Sequence, residues 1–202
     1  MEQYAELLTT KQAPAAFAFL VSEVMGGDRE RALKLVKRSP QMLKSKSIKQ
    51  AWSELCDEVM EGDKARALQL VEQNPTMLSS KLVASAFEEL VSGVTGGDKE
   101  AARQLVEKDV RVLRSKSIGK NAADLVDLLG GDEEKALTVV SQCPRILAVR
   151  DLKGNMQALA ELMDGDEAAA LEVLRSNPRA LLDRPSRMRA ARAAGYSLQS
   201  QK

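Results

Sequence analysis

Five Gly-Asp pairs place carboxylates at Asp28, Asp63, Asp98, Asp132 and Asp166. Carboxylates at regular intervals are candidate ligands for a hard cation. Each of these, however, directly precedes a helical apolar pattern, where an Asp side chain accepts the free N–H groups of a first turn. Their recurrence assigns them to helix capping, and no metal is expected. Cys56 and Cys143 fall at different positions of the pattern and support neither a disulfide framework nor a zinc site. There is no histidine, the commonest general base and metal ligand, and no Gly-rich loop to cradle a phosphate. These residues predict a non-enzymatic protein without a cofactor.

The elements that carry those carboxylates repeat. The Gly-Asp pairs begin at Gly27, Gly62, Gly97, Gly131 and Gly165, at spacings of 35, 35, 34 and 34 residues. Twelve residues after each Asp stands Pro40, Pro75, Val110, Pro144 or Pro178. Three residues further on comes Leu43, Leu78, Leu113, Leu147 or Leu181. After the cap, Ala32, Leu33, Leu35 and Val36, repeated as Ala67, Leu68, Leu70 and Val71, give a helical apolar face. The proline ends this short helix, because its ring clashes with a preceding turn. "PQML", "PTML" and "PRIL" predict a 3₁₀ turn that tucks its leucine inward. A second, longer helix carries Ile48, Trp52, Leu55 and Val59, then Val83, Phe87, Leu90 and Val94. It ends at the glycine of the next repeat.

A single helix pair cannot bury its apolar face alone, so neighbours must stack. The expected fold is an all-α solenoid of either hand, with about five and a half 34–35-residue helix-pair repeats. A half-repeat covers 1–26, repeats begin at 27, 62, 97, 131 and 165, one domain runs over 1–194, and 195–202 form a tail. Composition agrees: 202 residues, 44 % hydrophobic but only 3 % aromatic, predict an aliphatic helical core. Trp52, Phe17 and Phe87 share one row, which reads as core packing.

Pro40 with Leu43, Pro75 with Leu78, Pro144 with Leu147 and Pro178 with Leu181 resemble the repeat of mitochondrial transcription termination factors (mTERF). Val110 departs from that pattern. The resemblance implies units of two α-helices and a 3₁₀ turn, a mitochondrial or plastid setting, and binding of organellar DNA or RNA through a basic surface. Pentatricopeptide and tetratricopeptide repeats share the period, but not the Pro-Leu spacing after a short first helix.

The net charge is +1, which hides a segregation. Windows from the end of each first helix into its second (35–52, 70–87, 105–122, 139–156 and 173–190) sum to +14, and the rest of the chain to −13. One row is basic in every repeat: Lys11, Lys46, Lys81, Lys116, Arg150 and Arg184. Lys44, Lys49, Arg114, Lys120, Lys153 and Arg187 cluster around it. Helix-dipole complementation explains the first helix, acidic at Asp28 and Glu30 and basic at Lys37 and Arg38. It fails for the second, which starts near Lys46 and Lys49 and ends near Asp57, Glu58 and Glu61. Two explanations stand: salt bridges between successive repeats, or a basic edge that docks on something anionic.

Two binding functions follow. One is a scaffold or peripheral subunit of a larger organellar assembly, such as a photosynthetic complex or ribosome. The other is nucleic-acid binding along the basic edge. No apolar run reaches the ~18 residues of a membrane span, so membrane contact is expected only through partners. The start, "MEQYAELLTTKQ", lacks a targeting signal. The expected location is an organelle interior (plastid stroma or mitochondrial matrix) for a processed chain, and the cytoplasm for one never targeted.

Overall fold

The computed structural model describes residues 12–182. Among them lie α1 (Ala13–Phe19), α2 (Arg29–Arg38), α3 (Ile48–Ser53), α4 (Lys64–Gln73), α5 (Val83–Gly93), α6 (Lys99–Lys108), α7 (Ile118–Leu128), α8 (Glu133–Gln142), α9 (Leu152–Leu162) and α10 (Glu167–Ser176). The helices α1 and α3 continue as π-helical turns over Leu20–Val24 and Glu54–Val59. Five 3₁₀ turns follow the first helices: Pro40–Lys44, Pro75–Ser79, Val110–Arg114, Pro144–Ala148 and Pro178–Leu182. This is an all-α, repeat-like arrangement of helix pairs. The expected tail, Lys11, Arg184 and Arg187 lie outside the described residues.

The Gly-Asp pair works as the sequence indicates. Carboxylates of Asp28, Asp63, Asp132 and Asp166 accept N–H groups from Arg31, Arg66, Lys135 and Ala169 at 2.9–3.0 Å. The preceding glycine has φ between 85° and 97°, beyond the small left-handed region open to other residues. The residue before it has φ between 51° and 75°, inside that region, and there Glu61 and Asp164 replace glycine. That is why the second glycine recurs in every repeat and the first does not.

Contacts divide the chain into two compact units: Met1–Glu88 with Lys99–Lys116, and Glu89–Asp98 with Ser117–Lys202. In the first, the turns Pro40–Lys44, Pro75–Ser79 and Val110–Arg114 stack in succession, and α3 packs on Pro75–Ser79. In the second, α7 packs on Pro144–Ala148 and α9 on Pro178–Leu182, and those two turns stack on each other. The plug leucines Leu43, Leu78, Leu113, Leu147 and Leu181 are all buried, each contributing about 1.5–3 kcal/mol.

At Leu113, Leu147 and Leu181 the carbonyl of the plug leucine accepts a hydrogen bond from a side chain of the preceding repeat. Ser80 Oγ donates to the Leu113 carbonyl in the first unit. In the second, Asn121 Nδ2 donates to Leu147 and Val149, and Asn155 Nδ2 to Leu181. Polar groups thereby fix the register of successive helix pairs.

One expectation needs correction. Leu33 does not belong to the buried face of α2: it is 41 % exposed, and Leu137, its equivalent in α8, is 39 % exposed. The row is not uniform: Leu68 and Leu171 are half-buried, and in α6 the same position holds the buried Arg103, paired with Glu61 at 2.6 Å. Val110, the exception in the proline row, nevertheless opens a 3₁₀ turn, capped by the Asp109 carboxylate on the Arg111 N–H.

Candidate partner-binding surface

The basic row sits in the short link between each 3₁₀ turn and the following helix. Lys46 lies between Ser45, which closes one turn, and Ile48, which opens α3. Lys81, Lys116 and Arg150 hold the equivalent places before α5, α7 and α9. The links are held by their own side chains: Ser45 Oγ accepts the Ser47 N–H, and Ser80 Oγ accepts that of Leu82. The row is therefore presented on fixed backbone. Lys44, Lys46, Lys49, Lys81, Arg114, Lys116, Lys120, Arg150 and Lys153 are all exposed.

These nine do not behave alike. Lys120 and Lys153 both bond Asp124, at 2.6 and 3.2 Å, and Lys153 also reaches Asp127 at 3.1 Å. The Lys120 hydrogen bond, with Lys153 in support, holds the Asp124 carboxyl below its ordinary range. Asp127, then Asp124, raise the Lys153 ammonium. These two lysines are engaged with carboxylates of their own unit, while their side chains stay 63 % and 53 % exposed. Arg114 donates to Thr76 Oγ1, and the Lys49 ammonium lies 5.6 Å from the Phe19 ring centre. Lys44, Lys46, Lys81, Lys116 and Arg150 form no ion pair among the described residues.

In the first unit several carboxylates are committed to arginines. Glu72 pairs with Arg31 and Glu107 with Arg66, both at 2.7 Å, linking first helices of successive repeats at one register. Each carboxylate raises the pKa of its arginine. Asp109 pairs with Arg111. The explanation by salt bridges between successive repeats thus holds for Arg31, Arg66 and Lys153, but not for the lysine row of the first unit.

The second-helix dipole has a further answer. Glu54 Oε2 accepts the Ala84 N–H at 3.2 Å, and Glu89 Oε2 accepts the Gly119 N–H at 3.1 Å. A carboxylate of one repeat therefore caps the second helix of the next. Glu54, Glu89 and Asp124 stand 35 residues apart, a signal readable in the sequence that the charge windows obscured. The shorter Asp124 meets the Lys153 ammonium instead, and α9 is capped by its own Asp151 on the Gly154 N–H.

Comparisons with protein-family models, curated proteins and solved structures return no match.

Among the described residues no three His, Cys, Asp or Glu side chains gather to hold a metal, and no helix is long and apolar enough to cross a membrane. Burial pushes the Cys56 thiol up to about 11, and Cys143 is buried too. A cleft of about 430 Å³ in the second unit is lined by Gly93, Gly119, Ala122 and Ala123. Its carboxylates are Glu133 and Asp127, the latter held by Lys153.

Proposed function

We propose that this chain is a non-catalytic helical-repeat scaffold, a peripheral subunit of a larger organellar assembly such as a photosynthetic complex or ribosome. The observation that carries this reading is the exposed row of Lys46, Lys81 and Lys116 in the first unit, and Arg150 in the second, each without an ion-pair partner among the described residues. Several carboxylates of the first unit are engaged with arginines, and the row's charge remains available to a partner. The mTERF-like Pro-Leu pattern supports an organelle interior. It also supports a second reading, nucleic-acid binding, favoured by the regular spacing of positive groups that a polyanion requires. Gentle purification from the native source separates the readings. Stoichiometric proteins are expected to accompany the chain. Nucleic acid released by salt would favour the second reading, and free monomer alone would contradict both.

A further inference from the structure

The scaffold reading leaves open the chemistry of the partner, and the first compact unit narrows it. Three kinds of group grip phosphate: bidentate arginines, free N–H groups at helix starts, and aromatic platforms for the attached bases. The first unit engages most of these groups, although the start of α3 has no side-chain cap and Arg29 lies over the half-buried Phe17 ring at 5.6 Å. Arg31, Arg66, Arg103 and Arg111 are ion-paired with carboxylates. Arg38 bonds the carbonyls of Glu72 and Gln73, and Arg114 bonds Thr76. At the start of α5 the Ala84 N–H is taken by Glu54, where a phosphate oxygen would otherwise sit. The hydroxyls of Ser45 and Ser80 accept from their own links. Trp52 and Phe87 are buried in the core.

What remains is Lys44, Lys46, Lys81 and Lys116, point charges on flexible stems. An ammonium is a point charge that a carboxylate or a phosphate oxygen can meet, but the row lacks the free arginine forks that strengthen phosphate binding. From this geometry, and resting on the scaffold reading, we infer that the lysine row of the first unit docks an acidic polypeptide segment rich in Asp and Glu. The partner's carboxylates replace the counter-charges that Glu72, Glu107 and Asp109 give to arginines instead.

The test titrates the full chain at low ionic strength with a fluorescent Glu/Asp-rich peptide, and in parallel with single- and double-stranded oligonucleotides of equal charge. The peptide is expected to bind more tightly than either oligonucleotide, and binding should weaken with salt. The variant K46E/K81E/K116E should lose about tenfold or more in peptide affinity. The variant K34E/K64E/K99E makes the same change in net charge on the first helices and should stay within about twofold. The neutral K46Q/K81Q/K116Q should fall between wild type and the reversal, with helical circular dichroism unchanged. Equal losses in the two reversals would overturn the assignment, as would tighter oligonucleotide binding lost with the same lysines, or no peptide binding at all. A stoichiometric native partner retained by K46E/K81E/K116E would overturn this surface while leaving the scaffold reading standing.

Discussion

Asp124 shows how much the role of a charge depends on its neighbours. Its side chain is 11 % exposed and takes hydrogen bonds from two lysines that are each more than half exposed. A carboxyl whose folded pKa lies below its unfolded value contributes stability above the ordinary carboxyl range, lost as pH falls through the folded value. The raised Lys153 contributes below the ordinary lysine range, and that contribution is lost as pH rises through its folded value. The window in which the cluster stabilises therefore spans roughly pH 5 to 10. Asp124→Asn keeps the shape and removes the charge. It should cost about 1 kcal/mol in urea unfolding at pH 7, allowing for solvent screening of the exposed lysines. The difference from wild type should shrink towards zero near pH 2. A difference unchanged across that range would show that the charge contributes nothing. Lys120 stands i,i+4 to Asp124 on α7, a spacing the sequence shows. Only the packing of one repeat on the next brings Lys153 to the same carboxylate.

The repeat's elements were the most legible part of the chain, because each boundary has a local cause. Asp caps, a left-handed glycine stops, proline breaks, and all three recur in register. What joins one repeat to the next was harder to read. The side chains involved, Glu54, Glu89, Asn121 and Asn155, act on backbone groups 26 to 30 residues away. Asn121 is fully buried, a position the helical period assigns to an apolar residue. Leu33 fails in the opposite direction: its period is right for burial, but it is 41 % exposed. Val110 provides an element-scale test. The residue before it, Asp109, has φ −153° and ψ 92°, close to the −138° and 86° of Asn74 before Pro75. That extended geometry is what a following proline requires. Val110→Pro should therefore raise stability by about 0.5 kcal/mol by restricting the unfolded chain. A loss above ~1 kcal/mol would mean that the third turn is not equivalent to the others.

For the whole molecule, the charge windows of +14 and −13 cannot be taken at face value. Part of that segregation is settled within the second unit by Lys120 and Lys153 on Asp124, whereas in Arg31–Glu72 and Arg66–Glu107 the carboxylate lies inside the basic windows and the arginine outside them. The part left over is smaller and better defined: Lys44, Lys46, Lys81 and Lys116 in the first unit and Arg150 in the second. The account stands on that remainder being a docking surface. Carbodiimide, which joins an ammonium directly to a carboxylate in contact with it, tests this in material taken gently from the native source. The account predicts covalent links from Lys46, Lys81 and Lys116 to Asp or Glu of another protein, identified by mass spectrometry. A partner linked only through other residues, with those three lysines unmodified, would contradict it.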